Sequence, residues 1–191
     1  MKYDIVCAGV GGQGVLSVAA LVAHAAMREG LSVRQSEVHG MAQRGGAVMS
    51  FLRLSDSAIE SDLIPRGYGD MILSMEPMES LRYLDYLDPD GVIVTASEPV
   101  VNIPDYPDLE TLLAAVRSVP GSHVVDTQKL AREGGFPRAA NVVLVGAASR
   151  FLPLSQEGLE NGVRSFFSAK GEEVVAGNLS ALRIGRSGGG R

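Results

Sequence analysis

The chain has 191 residues, is 46% hydrophobic and 20% charged, and carries a formal net charge of −5, the balance of one globular domain with a sizeable core. An acidic surface argues against nucleic acid or an anionic membrane as partner, and no apolar run reaches the ~18 residues of a membrane span. The single cysteine, Cys7, excludes an internal disulfide and the thiolate set of an iron–sulfur cluster, and the scattered His24, His39 and His123 argue against a metal site.

The N-terminus has no basic segment leading into a cleavable apolar stretch, so a cytoplasmic location is expected. With no tryptophan, the core must come from Val, Leu, Ile, Ala and Met. Residues 3–8 read as a buried strand ending at Gly9. Residues 12–30 then turn helical, because Val15, Leu16, Ala19, Ala20, Ala23, Ala26 and Met27 recur at spacings of three and four. Gly30 is a helix-stop signal. Residues 31–36 are a second strand candidate, so the opening unit is strand, glycine turn, helix and strand, a crossover that implies parallel strands.

Residues 46–54 form a third strand. The link from Ser36 is too short for a helical crossover, so the second and third strands are candidates for antiparallel pairing. Residues 70–75 are a buried strand, Pro77 opens a helix to about residue 87, and residues 91–96 are the next strand. Pro99, Pro104 and Pro107 make 98–108 loop or edge structure. Asp108 is an N-cap candidate for a helix over 108–116. A short strand at 123–126 precedes a helix at 127–133. The last third reads as helical over 141–151, 155–167 (with Ser155 as N-cap candidate) and 172–184, followed by a flexible tail over 186–191.

The expected architecture is therefore a single-domain α/β fold over residues 1–185: a three-layer αβα sandwich around a Rossmann-like, mostly parallel but mixed sheet. Asn141 and Asn178 read as capping residues, and Cys7 as an inert core thiol. His24 reads as a packing or surface residue, and His123 carries no sign of a partner.

Two motifs carry chemistry. Gly9, Gly11 and Gly14 have the dinucleotide spacing in the right strand–helix context. Glycines let a ligand approach the backbone, and a helix N-terminus attracts an anion such as a phosphate, pyrophosphate or carboxylate. The same glycines could equally serve a tight turn and close packing. An NAD site would also want an acid at the end of the second strand, for which Glu37 is the candidate. The second motif, over 36–46, gathers Glu37, His39, Gln43 and Arg44 among Gly40, Gly45 and Gly46. Both motifs leave the carboxyl ends of strands, where open α/β sheets bind ligands, so they could share one crevice. The alternative is a surface loop with a Glu37–Arg44 ion pair.

The stretch Val10-Gly11-Gly12-Gln13-Gly14-Val15, followed by Ser36-Glu37-Val38-His39-Gly40-Met41-Ala42-Gln43-Arg44-Gly45-Gly46, closely resembles the gamma domain of 2-oxoacid:ferredoxin oxidoreductases. The residues before Arg44-Gly45-Gly46 are similar to the indolepyruvate branch, where this domain is a separate beta subunit, rather than to the pyruvate branch. The resemblance runs from Met1 to about Ile184 and includes the Met75-Glu76-Pro77 turn. It implies oxidative decarboxylation of a 2-oxoacid to an acyl-CoA with reduction of ferredoxin. It also implies that thiamine diphosphate and iron–sulfur clusters reside in a larger alpha subunit, and that ferredoxin is met through the complex.

On that resemblance Gly9, Gly11, Gly12, Gln13, Gly14, Gln43, Arg44 and Gly45 become candidate cofactor-binding positions, for the phosphates of coenzyme A or a substrate carboxylate. His39 and Glu37 become weaker catalytic candidates. Two other readings stay open: a free-standing NAD(P)-dependent dehydrogenase and a purely structural subunit. An apolar surface meant for a partner could make the isolated chain a homodimer.

Overall fold

The computed structural model describes residues 1–39 and 45–188. The strands are β1 (Lys2–Val10), β2 (Ser32–His39), β3 (Ala47–Ser55), β4 (Gly69–Ser74), β5 (Leu87–Ala96) and β6 (Ser122–Val125). The helices are α1 (Val15–Arg28), α2 (Pro77–Arg82), α3 (Leu109–Ser118), α4 (Thr127–Glu133), α5 (Ala140–Ala148), α6 (Gln156–Phe167) and α7 (Glu172–Gly188). The strands join in one sheet of order β2-β3-β1-β4-β5-β6. β1, β4, β5 and β6 pair in parallel, while β3 runs antiparallel to both β1 and β2. The expected mixed α/β sheet is thus present, with all the reversal carried by β3.

β1 and β2 run in the same direction, as the crossover through α1 requires, but they do not pair, because β3 lies between them. The seven residues between His39 and Ala47 are too few to carry a second helical crossover, so β3 returns antiparallel beside β2, and β3 rather than β2 meets β1.

Strand side chains alternate between two apolar layers, as pleating dictates. Ile5, Cys7, Leu52, Leu54, Met71, Leu73, Val94 and Val125 face a large cluster built with α1, α5, α6 and α7. Val6, Phe51, Ile72 and Ile93 face a smaller cluster completed by Ile64, Tyr83, Tyr86 and Val119. The sandwich is therefore lopsided: most helical mass lies on one face. α5 is apolar on all sides, with every residue from Val142 to Ala148 buried, as expected for a helix trapped between sheet and α7. Glycine makes that sandwiching possible. A Cβ on Gly146 would lie 2.1 Å from the Leu182 carbonyl oxygen, and one on Gly185 would lie 1.9 Å from that of Val143.

Element ends differ from expectation where tertiary contacts intervene. β2 extends to His39, so Glu37 and His39 belong to a strand rather than to a loop. The helix predicted over 77–87 stops at Arg82; a 3-10 turn at Leu84–Tyr86 follows, and β5 already begins at Leu87. Tyr86 is drawn under the sheet, 5.1 Å from the Phe51 ring, which an uninterrupted helix would not allow. α7 continues through Gly188, so residues 186–188 are helical rather than tail. Arg186 donates from a guanidinium nitrogen to Ser149 Oγ at 2.9 Å, which ties that end down. The caps follow the sequence: Asp108 accepts from Thr111 N, and Ser155 from Gly158 N.

One feature had no sequence signal. Asp4, the third residue of β1, is fully buried and is gripped in bidentate fashion by Arg53 from β3, Nε to Oδ1 at 2.8 Å and NH2 to Oδ2 at 3.0 Å. The second terminal nitrogen of Arg53 donates to the carbonyls of Ser61 and Leu63, both at 2.8 Å. The pair pins the 56–68 connection across the smaller apolar face.

Candidate functional site

The strand order reverses between β1 and β4: from β1 the chain crosses toward β2, and from β4 it crosses the other way to β5. Open α/β sheets bind ligands beyond the carboxyl ends of their strands at such a switch point. The first glycine motif occupies this position. Gly12 and Gly14 adopt positive φ values of 102° and 85°, a region that L side chains enter at a cost of about 1–2 kcal/mol. Gly14 is the N-cap of α1, with no side-chain cap and no acid in the first turn. The N–H groups of that turn therefore present positive potential to the crevice. Gly9 is required by close approach, since a Cβ there would lie 2.8 Å from Val15 Cγ2 and 3.0 Å from Met75 Cβ.

Gln13 braces this turn. Its Oε1 accepts from Val10 N–H at 2.7 Å and its Nε2 donates to the Met75 carbonyl at 3.0 Å. The side chain thus ties the glycine turn to the exit of β4 across the switch point. It also lines a small cleft of about 180 Å³ together with Met75, Glu98, Thr127 and Asn141.

The second motif meets the first through the backbone. Gly11 N–H donates to the Gly46 carbonyl at 2.9 Å, and Gly45 turns with φ 75°. The structure therefore brings Gly9, Gly11, Gly12, Gln13, Gly14 and Gly45 together at one edge of the sheet. Gln43 and Arg44 lie outside the described residues, as does the side chain of His39, and with them the Glu37–Arg44 ion pair. His39 ends β2 opposite Val48. Glu37 pairs in register with Ser50, and its Oε1 accepts from Gln35 Nε2 at 3.1 Å. Because β3 intervenes, Glu37 stands two strands from β1, about 10 Å at ordinary strand spacing. In a dinucleotide fold the acid that holds the ribose stands on the strand next to the glycine strand. The NAD reading loses its geometric support here.

Four side chains that sequence reasoning did not assign complete the edge. Asn102 Nδ2 donates to the Gly45 carbonyl at 2.6 Å, so the proline-rich loop after β5 clasps the second motif. Tyr106 anchors that loop: its hydroxyl donates to Glu76 Oε1 in a short bond, and Val100 N–H reaches the same oxygen at 3.4 Å. Glu76 is fully buried and also caps α2 by accepting from Glu79 N–H at 2.9 Å. Burial first, and then the Glu76 carboxylate, push the Tyr106 phenol well above its ordinary value, so it remains a donor. Glu98, just past β5, accepts from Thr127 Oγ1 at 3.1 Å and from Gln128 N–H. Burial raises its carboxyl while those donors oppose the shift. An acid or amide within a few residues of each strand end was the available signal, but only the sheet order shows that they converge.

Asn141 does not cap its helix. Its Nδ2 lies 3.2 Å from where a Cβ of Gly14 would be, over the start of α1. Asn178 back-bonds to the Val174 carbonyl at 2.7 Å. Cys7 is buried mid-strand, its thiol pushed up to about 12 by desolvation alone. Among the described residues no group of three or more His, Cys, Asp or Glu is placed to hold a metal ion, and no helix there is long and apolar enough to cross a membrane.

The pyruvate ferredoxin/flavodoxin oxidoreductase family model matches residues 4–188. The chain belongs to that family. Among curated relatives, it is 38% identical to indolepyruvate oxidoreductase subunit IorB of Thermococcus kodakarensis, covering 96% of this chain and 94% of the relative. It is 28% identical to 2-oxoglutarate synthase subunit KorC of Archaeoglobus fulgidus, covering 96% and 86%. Among solved structures, the gamma subunit of a keto/oxoacid ferredoxin oxidoreductase from Geobacter sulfurreducens superposes with a TM-score of 0.75 at 25% identity, covering 99% and 97%. A 2-oxoglutarate:ferredoxin oxidoreductase from Magnetococcus marinus, solved with 2-oxoglutarate, coenzyme A and succinyl-CoA bound, superposes with a TM-score of 0.76 at 25% identity. The match covers 97% of this chain and 30% of that longer one.

Proposed function

We propose that this chain is the beta, gamma-type subunit of an indolepyruvate ferredoxin oxidoreductase, which converts an aryl pyruvate and coenzyme A to an acyl-CoA and carbon dioxide. The electron pair of the broken carbon–carbon bond passes to ferredoxin. Thiamine diphosphate supplies the carbanion chemistry and iron–sulfur clusters the electron relay. The described side chains fit neither group: the only thiol is buried and protonated, and no Gly-Asp-Gly start of a thiamine diphosphate motif occurs. Both belong to a larger alpha subunit, which this chain completes.

The observation that carries the reading is the bond between Gly11 N–H and the Gly46 carbonyl. It joins the two family motifs at the switch point beside the uncapped start of α1. That edge binds an anionic group, a phosphate of coenzyme A or a substrate carboxylate. The glycine turn supplies N–H donors, and Arg44 supplies a charge-assisted, fork-shaped partner.

The test is reconstitution with the alpha subunit. Arg44→Ala should lower turnover with indolepyruvate and coenzyme A by about tenfold or more, the loss of one charged contact, without lowering the melting temperature of the chain. Wild-type kinetics in that variant would remove the site assignment. A NADH titration of the isolated chain should show no micromolar binding.

A further inference from the structure

A second cavity lies beyond the glycine crevice. It is lined by the first turn of α1, the 135–141 segment and the junction of α6 and α7, and has a volume of about 660 Å³, in the range of small-molecule sites. Three of the five phenylalanines in the chain line it: Phe136, Phe166 and Phe167. All three are only partly buried. Solvated phenylalanines are costly unless something covers them, and these are held in place. Phe136 lies against α7 where Gly177 leaves room, since a Cβ there would be 2.3 Å from the ring. Phe166 and Phe167 meet edge to face, with ring centres 5.0 Å apart and planes at 79°, so their orientations are mutually fixed.

Charge is placed beside the rings. Lys170 Nζ sits 5.5 Å from the centre of the Phe167 ring, and Arg138 lines the same cavity, with Glu173 as the acid on its rim. Among the described residues neither Lys170 nor Arg138 forms a salt bridge. Asn141 also lines the cavity, beside the start of α1, and its amide makes no hydrogen bond among the described residues.

We propose that this cavity binds an aromatic anion: a flat ring stacked among the phenylalanines, with a phosphate or carboxylate reaching Lys170, Arg138 and Asn141. The ring covers apolar surface that the fold leaves open, and the anion neutralises two unpaired cations. Nucleotides and aryl carboxylic acids both have this chemistry. The inference does not depend on the subunit assignment above.

The experiment is a titration of the isotope-labelled full chain followed by amide chemical shifts. The probes are adenosine 3′,5′-bisphosphate and indole-3-acetate, with adenosine and indole as uncharged controls. At least one anion should bind with a dissociation constant of about 1 mM or tighter, and about tenfold more tightly than its uncharged control. Shifts should centre on residues 136–141 and 166–174. Binding of the bisphosphate alone assigns the site to nucleotides, and binding of indole-3-acetate alone assigns it to aryl acids. The double variant Arg138→Glu, Lys170→Glu should weaken binding by about tenfold or more, and Phe167→Leu should weaken it severalfold. Both positions of the double variant are exposed, so an unchanged melting temperature checks that it folds. No shifts at 5 mM probe (roughly fivefold above that limit), equal binding of charged and uncharged probes, or shifts confined to residues 9–14 and 45–46 would each overturn the proposal.

Discussion

Gln13 shows how one side chain can be read two ways. In sequence it sits inside a glycine fingerprint and reads as a ligand contact. In the fold both ends of its amide are occupied, by Val10 N–H and the Met75 carbonyl. Gln13→Leu would strip a partner from each. We expect a loss of about 1–3 kcal/mol, the cost of unsatisfied buried groups, read from urea denaturation. Asp4 and Arg53 are the harsher case. Asp4 also meets the half-exposed Lys2 ammonium at 2.8 Å, so losing Arg53 leaves its buried carboxylate only partly compensated, toward the lower end of the about 3–5 kcal/mol for breaking a buried ion pair. Arg53→Leu should cost that much, and limited proteolysis should then cut the 56–68 connection first, because Arg53 also holds its carbonyls. Intact protection of that segment would show that other contacts hold it.

Between elements, two contacts decide where the site sits. The α5–α7 crossing depends on bare backbone at Gly146 and Gly185, each facing a carbonyl oxygen near 2 Å from a built Cβ. A backbone neighbour cannot turn aside as a flexible side chain can. Gly146→Ala should therefore part the helices and cost about 2–5 kcal/mol, the range for large core disruption, visible as a fall in melting temperature. The second contact is the loop clasp, from Glu76 through Tyr106 and Val100 to Asn102 and Gly45. Tyr106→Phe removes its anchoring donor at about 1–2 kcal/mol. Amide exchange should rise over residues 97–107 and 45–46 and remain unchanged in α5 and α7. In the reconstituted complex, the same variant should raise the KM for the anionic substrate more than it lowers kcat.

Stability of the whole molecule should depend on pH through two groups of opposite sign, the half-buried His123 and the fully buried Glu79. His123 stacks 4.6 Å from Phe151, and burial, aided by the Arg150 cation, holds its imidazole below the usual value of 6.5. The unfolded chain then binds the proton more readily, so this contribution is present above about pH 6.5 and is lost as pH falls. Glu79 is fully buried, and its Oε1 has no partner among the described residues. Burial raises its carboxyl above 4.5, although the Arg82 bond opposes the shift. Here the folded chain holds the proton more readily, so stability from this site is greatest at acid pH and falls as the carboxyl ionises. His123→Gln should shrink the drop in melting temperature between pH 7.5 and 5.5 (about one unit either side of the ordinary imidazole value). Glu79→Gln should raise the melting temperature at neutral pH, with the gain fading toward the ordinary carboxylate range. The reverse trend in either variant would contradict its assigned sign.

Periodicity and punctuation in the chain sufficed for the local pieces. Alternation and apolar runs located six strands, Pro77, Asp108 and Ser155 marked helix starts, and the paired glycine motifs carried the family. These are readable because they depend on neighbours a few residues away. The tertiary structure alone decided that β3 enters between β1 and β2, moving Glu37 two strands from the glycine turn. It also decided that Asn102, Tyr106 and Glu76 converge on Gly45, that Arg53 meets Asp4, and that three phenylalanines open onto one cavity. Each of those facts joins residues roughly 30 or more positions apart, and local propensity holds no information about such pairings. They follow from how the sheet closes, how its order reverses at the switch point, and which faces the helices leave uncovered.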